Sequence, residues 1–467
     1  MEYSLKKDLD CLEQLLQSAL SEGLLYLGQL HELPTSVSVN ETIQPNLNAL
    51  GKGGAATLEE FKTRYRQLMV ASTGPRYWGF VTGGTTPAAL MGDMLASVYD
   101  QNTQTSSGQG DVSALVELET VQLLLDFFGL PENYLGGFVT GATMSNFTCL
   151  GVARQWLGKQ SGFDIAKEGV SGHLPVLSAT PHSSSIKALS MLGLGSQNIR
   201  LVPVMEPTRE AIDLQALEKT IESLHGQPFI LISSGGTVNT VDFDDFSGIA
   251  QLKRKYNFWW HIDAAFGGFA AVSPEHAHLL NGWEEADSIT IDGHKWLNVP
   301  YESAFFFVRD EHKYLQVETF QNSNAPYLGD PLENFNYLNL LPENSRRFRA
   351  LPAWFTLKAY GKEGYREIIE RNIQAAQMLG EFIQNSDAFE LLAPVRLNTV
   401  CFSLKEETKV QPFLNTLNNR GKVFMTPTVF HQRKGIRAAL VNWRTTEEDV
   451  NLVIEEMQLV IRQISEN

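Results

Sequence analysis

The sequence predicts an α/β protein: a mostly parallel seven-stranded sheet covered on both faces by helices, with an N-terminal helical arm and a small C-terminal α+β domain. Three features lead there. Short apolar runs recur at 137–140, 176–179, 201–204, 229–233, 258–262, 288–291 and 304–308, and most are separated by stretches long enough for a helix. Buried runs alternating with helical patterns are the signature of a parallel sheet with both faces covered. After Pro342 the rhythm changes, and the 467 residues suffice for two packed domains plus an arm.

The elements follow in chain order. Over 5–27, Leu5, Leu9, Leu12, Leu15, Leu16 and Leu20 fall at helical spacing with charges between them. Such a helix must lay its apolar stripe on something. Gly51 to Ala56 reads as a loop. The strand-bearing region carries the large domain, with expected boundaries 1–80 for the arm, 81–345 for the large domain and 346–467 for the small one. Residues 350–384 read as helix, and 389–393, 399–404 and 436–440 as strands. A last amphipathic helix covers 446–464, begun by Thr445-Thr446-Glu447-Glu448.

Composition excludes several functions. With 43% hydrophobic residues the chain can bury a large core, so disorder is not its main state. A formal net charge of −16 argues against a nucleic-acid or anionic-membrane partner, because both need clustered Lys and Arg. Cys11, Cys149 and Cys401 are odd in number and widely spaced, which fits neither a disulfide scaffold nor a zinc site. No run approaches a membrane span, and Met1-Glu2-Tyr3 opens without the basic and apolar regions of a signal peptide. The expectation is a cytoplasmic protein.

Four windows bear chemistry. In Ser288-Ile-Thr-Ile-Asp-Gly-His294-Lys295-Trp296, a lysine follows an apolar strand, at the edge where open α/β sheets bind ligands. Held there, partly desolvated, its amine is a nucleophile able to form an imine; a lone surface lysine is the ordinary alternative. In Trp260-His261-Ile262-Asp263-Ala264-Ala265, an aspartate ends the preceding strand 32 residues earlier, one strand–helix–strand step away. Alone, Asp263 reads as a helix cap. Together the amine and the carboxylate suit pyridoxal phosphate, one bonding its aldehyde and the other keeping its ring nitrogen protonated. In Gly136-Gly-Phe-Val-Thr-Gly141-Ala142-Thr143-Met144-Ser145-Asn146, a strand passes into a helix through small residues, making either a phosphate seat or a plain capping loop. It is not GxGxxG, and no GxxxxGK[ST] is present. In Thr180-Pro-His182, a histidine at a strand end could stack on an aromatic cofactor or serve as buried structure.

These windows resemble the group II pyridoxal-phosphate-dependent amino acid decarboxylases, the family of the aromatic-amino-acid and glutamate decarboxylases. The resemblance runs from about Gly74-Pro75-Arg76-Tyr77-Trp78 to Ile436-Arg437, with His261-Ile-Asp263-Ala-Ala265 and His294-Lys295-Trp296 its most specific parts. It implies a fold-type I transferase architecture, like that of aspartate aminotransferase, and a homodimer whose N-terminal helices wrap the neighbour. It implies that Lys295 carries the cofactor as an aldimine, that Asp263 pairs with the pyridinium nitrogen, and that His182 stacks on the ring with Ala265 against the other face. Ala142 and Thr143 match the phosphate-binding turn, His294 precedes the cofactor lysine, and Thr237 matches a threonine near the phenolic edge. Arg437 matches an arginine suited to the substrate carboxylate. Phe80, Val81 and Thr82, with Gly83, fall where such enzymes shape the side-chain pocket, and the strip holds no charge.

Two departures stand out. The family usually has Asn-Pro before the His-Lys pair, whereas this chain has Asp292-Gly293. An aspartate cannot donate to phosphate and would repel it, so its side chain is expected to turn away or to bond backbone donors. The segment from Tyr327-Leu328 to Arg346-Arg347-Phe348-Arg349 aligns with a mobile catalytic loop but is shorter, and Tyr337 is the nearest counterpart of its proton-donating tyrosine. The implied reaction is decarboxylation of an L-amino acid to its amine and CO₂. An aminotransferase, an aldehyde-forming oxidative deaminase or a carbon–carbon lyase would use the same fold and cofactor, since reaction type depends on which bond the pocket aligns. A cofactor-free scaffold is the reading from another class.

Overall fold

The computed structural model describes residues 3–38, 47, 49–104, 111–206, 208–321 and 335–465. Strands β1 (Tyr134–Val139), β2 (Val176–Ser178), β3 (Ile199–Leu201), β4 (Phe229–Ser234), β5 (Phe258–Asp263), β6 (Ser288–Asp292) and β7 (Ala304–Arg309) form one sheet in the order β1-β7-β6-β5-β4-β2-β3. From β6 across to β3 the neighbours are parallel, while β7 runs antiparallel between β1 and β6. The cause is local. Parallel neighbours need a long crossover, usually a helix, and no helix intervenes between Asp292 and Ala304. The chain turns back within that stretch, and the turn carries Lys295.

Alternate residues of each strand feed opposite faces, as the period of two requires. Leu231, Trp260 and Ile262 enter one apolar cluster, while Ile230, Ile232 and Trp259 enter another. All six residues of β5 are buried, which is why its sequence reads as a continuous apolar run. β3 lies two residues earlier than the sequence pattern placed it. Pro203 has no N–H to give a ladder, and Val204 makes only an isolated bridge to Ile212.

Helix α1 (Tyr3–Asp10) is separated from α2 (Leu12–Gly28) by a break at Cys11. They precede α3 (Pro87–Tyr99), α4 (Ser113–Phe128), α5 (Ala142–Gln160) and α6 (Ser183–Met191). The long α7 (Ala350–Gln384) is interrupted at Gly361, whose φ of 59° leaves helical space. A second sheet, in the order β10-β11-β9-β8, joins β8 (Phe389–Leu391), β9 (Thr399–Leu404), β10 (Thr426–Phe430) and β11 (Arg433–Ala439), all antiparallel. The sequence pattern missed β10. It carries Pro427, which an edge strand tolerates, and its hairpin turns on His431 and Gln432 at positive φ rather than on glycine. Helix α8 (Glu447–Ser465) closes the chain and packs with α7 against this sheet. Among the described residues no helix is long and apolar enough to cross a membrane.

One ion pair fixes the chain where it returns to the large sheet. Glu117 on α4 accepts from Arg346 Nη2 at 2.5 Å and from the Phe138 N–H of β1 at 2.8 Å. Arg346 also donates to the carbonyls of Phe138 and Thr103, and neither charged side chain has measurable exposure. Breaking a buried pair on one side strands the other charge, which costs about 3–5 kcal/mol. Glu117→Ala is therefore expected to lower the unfolding free energy of the intact protein, measured by urea denaturation, by a margin of that order. A value equal to wild type would show that the pair does not hold this junction.

Candidate active site

The strands end where the chemistry is. Asp263 is the last residue of β5 and Asp292 the last of β6, and Lys295 follows in the turn. A cavity of about 420 Å³ opens there, between the large sheet and β10–β11, lined by His182, Thr237, Asp263, Ala265, Lys295 and Arg437 among others. Six residues expected from scattered sequence windows thus share one space. Gly83 lies behind the lysine, where an added Cβ would sit 1.6 Å from the Lys295 carbonyl oxygen, so only glycine lets the two backbones approach so closely.

Asp263 is held by donors alone. Its Oδ2 accepts from Asn146 Nδ2 at 3.0 Å and from Ser185 Oγ at 3.2 Å, and its Oδ1 accepts from the Ala265 N–H at 3.3 Å. The amide orientation of Asn146 follows from Asp263, whose carboxylate can only accept, so the amide nitrogen faces it. Asn146 Oδ1 then accepts from His261 Nε2 at 2.8 Å, and the neutral ring accepts at Nδ1 from the Ser288 hydroxyl at 2.9 Å. Ser288 Oγ in turn accepts the indole N–H of Trp259 at 3.0 Å. Complete burial makes the charged imidazole unfavourable and lowers the His261 pKa to about 4, so the ring is neutral at pH 7.

His182 caps α6, its Nδ1 accepting the Ser184 N–H at 3.2 Å. A neutral ring in that role carries its proton on Nε2, and desolvation lowers its pKa, which favours the neutral form. Thr237 gives its only proton to Glu210 Oε2 at 2.5 Å and accepts the Asp242 N–H at 3.0 Å. Arg437 reaches from β11 to the Val238 carbonyl at 3.2 Å, while its buried Nε has no partner among the described residues. Its pKa is lowered by desolvation. A guanidinium with an unused donor beside a lysine and two carboxylates fits an anionic ligand group in the cavity.

Other expected residues are placed differently. Ala142 and Thr143 open α5, whose first-turn amides have no intrahelical acceptors. Beside them stands His294, with Cε1 3.4 Å from where a Gly141 Cβ would be. The His294 ring stacks on Tyr301 at 4.4 Å and does not line the cavity. Phe80, Val81 and Thr82 also lie outside the cavity lining: Phe80 is exposed beside Phe424, Val81 is core, and Thr82 bonds the Tyr301 hydroxyl at 2.9 Å. Phe80 and Val81 both hold positive φ, 57° and 59°, the kind of local strain that clusters at working sites.

Two expectations need correction. Tyr337 is wholly buried, its hydroxyl 3.3 Å from the Gly136 carbonyl and its ring under the Arg346 guanidinium. It packs the sheet and does not reach the cavity; Tyr327-Leu328 lie outside the described residues. Asp292 neither turns away nor relies on backbone donors, since its Oδ2 lies 2.9 Å from Lys295 Nζ. The sequence reading also missed Asn146, Ser185 and Glu210 as supports of the site. Their signal was weak, being polar side chains on elements whose neighbours are apolar.

Because His261 is depressed from 6.5 to about 4, the unfolded chain takes up this proton first as pH falls. The stability it contributes is present above pH 6.5 and is lost as pH falls toward 4. Between pH 7 and 5 that loss is about 2 kcal/mol. His261→Gln should reduce the fall in unfolding free energy over this range, measured by urea denaturation, by that amount. An unchanged slope would mean that another group sets it.

With this geometry in hand, comparison with known proteins is informative. Residues 57–405 match the family model described as the pyridoxal-dependent decarboxylase conserved domain. An aromatic-L-amino-acid decarboxylase of Bacillus atrophaeus is 27% identical over 487 aligned positions, covering 100% of this chain and 98% of its own. A phenylacetaldehyde synthase of Petunia hybrida is 26% identical, over 78% of this chain and 76% of its own. The crystal structure of Oryza sativa TDC with PLP and tryptamine superposes with a TM-score of 0.89 at 22% identity, covering 97% of this chain and 98% of that one. At that identity the likeness shows the fold.

Proposed function

The chain belongs to the pyridoxal-dependent decarboxylase family, and from that premise we propose that it removes the carboxylate of an aromatic L-amino acid as CO₂ and releases the corresponding amine. It is a pyridoxal-phosphate-dependent carboxy-lyase. The observation that carries the reading is the convergence of Lys295, Asp263, His182 and Arg437 on one cavity. Support for an aromatic substrate comes from the relative matched along the whole chain.

When bound, pyridoxal phosphate supplies a ring that takes up the electron pair left as a bond to the substrate's α-carbon breaks. The residues present fit it. Lys295 offers the amine that anchors its aldehyde. Asp263, presented by three donors as an acceptor, would hold a proton at the ring nitrogen, with His182 and Ala265 beside the ring. The first-turn amides of Ala142 and Thr143, with the positive end of α5, would hold the phosphate, with Thr237 at the cavity wall and His294 behind it. Arg437 would hold the substrate carboxylate, and which α-carbon bond breaks would be set by how the substrate is held.

The test is product analysis with a panel of amino acids. An amine plus CO₂ in equal amounts supports the reading, whereas aldehyde with ammonia, or keto-acid-dependent amino transfer, overturns it. Lys295→Ala is expected to lose the borohydride-reducible link to pyridoxal phosphate. Asp263→Ala should lower kcat by at least ~10²–10³, the scale of removing a charge-stabilising group. Near-normal turnover in the latter would contradict the assigned role.

We also propose that two copies pair through the arm and that the arm, large and small domains divide near residues 80 and 345. Leu12, Leu16, Leu20 and Leu24 of α2 are exposed and, with Leu90, Met94 and Val98, line an apolar groove of about 700 Å³. An apolar stripe of this length left in water is unfavourable, and a second copy would cover it. Leu16→Glu with Leu20→Glu should shift sedimentation from dimer to monomer. A dimer unaffected by both charges would place the interface elsewhere.

A further inference from the structure

Asp292 is 2% exposed, at the end of a strand buried along its whole length. Its backbone N–H bonds the Ala265 carbonyl at 2.9 Å, which pins this strand end to the loop after Asp263. Its carboxylate has no such support. Oδ2 lies 2.9 Å from Lys295 Nζ, and Oδ1, buried, has no hydrogen-bond partner among the described residues. His294 Nε2 stands 3.7 Å from Oδ1, but desolvation lowers that ring's pKa and so favours its neutral form. A buried carboxylate without a counter-charge is costly. Among the described residues, Lys295 is therefore the cation on which Asp292 depends.

The dependence is mutual. The other charged or titratable groups lining the cavity are His182, Glu210, Asp263 and Arg437. His182 favours its neutral form, Asp263 is occupied by Asn146, Ser185 and Ala265, Glu210 by Thr237 and Thr240, and Arg437 is itself a cation. Lys295 Nζ also lies 5.6 Å over the Phe266 ring, a weak cation site. We propose that Asp292 is the counter-ion that holds the Lys295 ammonium in place whenever that amine is not covalently engaged. Asp292 is a positioning residue acting through Lys295. The inference rests on the reading of Lys295 as the reactive amine.

The test uses a carbonyl probe that needs no cofactor site. Full-length protein freed of pyridoxal phosphate with hydroxylamine is treated with formaldehyde and cyanoborohydride at pH 7, which methylates only unprotonated amines, and Lys295 is compared with surface lysines by peptide mass spectrometry. Asp292→Asn, nearly isosteric, should label Lys295 roughly tenfold faster than wild type, the scale on which an adjacent opposite charge shifts the ammonium–amine balance. Asp292→Glu, which keeps the charge, should stay slow. Equal rates in wild type and the Asn variant, with unchanged circular dichroism, would overturn the proposal, as would a Glu variant as fast as Asn. A Lys295 that takes formaldehyde on this pattern but never links to pyridoxal phosphate would instead refute the assigned function.

Discussion

An acceptor-only group at the end of a strand sets the polarity of the site. The Asp263 carboxylate cannot donate, so Asn146 turns its amide nitrogen toward it, His261 Nε2 donates to the amide oxygen, and the neutral ring accepts from Ser288, which accepts from the Trp259 indole. The chain ends on a carboxylate that receives and does not give. That constraint needs a neutral His261, which its burial supplies, and it needs β5, β6 and α5 packed in fixed register, since the four partners come from all three. A polar network in so dry a place is stable only when every member is satisfied.

Around this core the site is assembled from elements far apart in sequence. Lys295 depends on a turn that reverses the chain between β6 and β7, Arg437 on a strand of the second sheet, and His182 on a helix cap. The charged groups are partnered unequally. Asp263 is satisfied by neutral donors and Asp292 by the lysine, while Arg437 keeps an unused donor. Two carboxylates of similar burial and location at adjacent strand ends thus have different partners, which separates their roles.

Much of this was legible in the sequence. The apolar runs located five of seven large-sheet strands within a residue, and β1 only in its second half, because buried parallel strands need continuous apolar character; Lys295 and Asp263 stood out because strand ends are where such sheets bind ligands. The misses have physical causes. β10 hides behind Pro427 because edge strands tolerate proline, and β3 was displaced because Pro203 ends the ladder. Tyr337 looked like a loop residue, yet Arg346 and Glu117 draw the chain back under the sheet and bury it.

By itself the sequence determined the fold class, the placement of Lys295 and Asp263 at neighbouring strand ends, and the small-residue turn that opens α5, since each follows from local pattern and spacing. Only the tertiary structure decided which polar groups stand behind Asp263, that Asp292 grips Lys295, and that Tyr337 is core. Those outcomes turn on contacts between residues such as Asn146 and Asp263, or Glu117 and Arg346, that no periodicity of 2 or 3.6 encodes. Hydrogen-bond direction and charge pairing are properties of the packed whole.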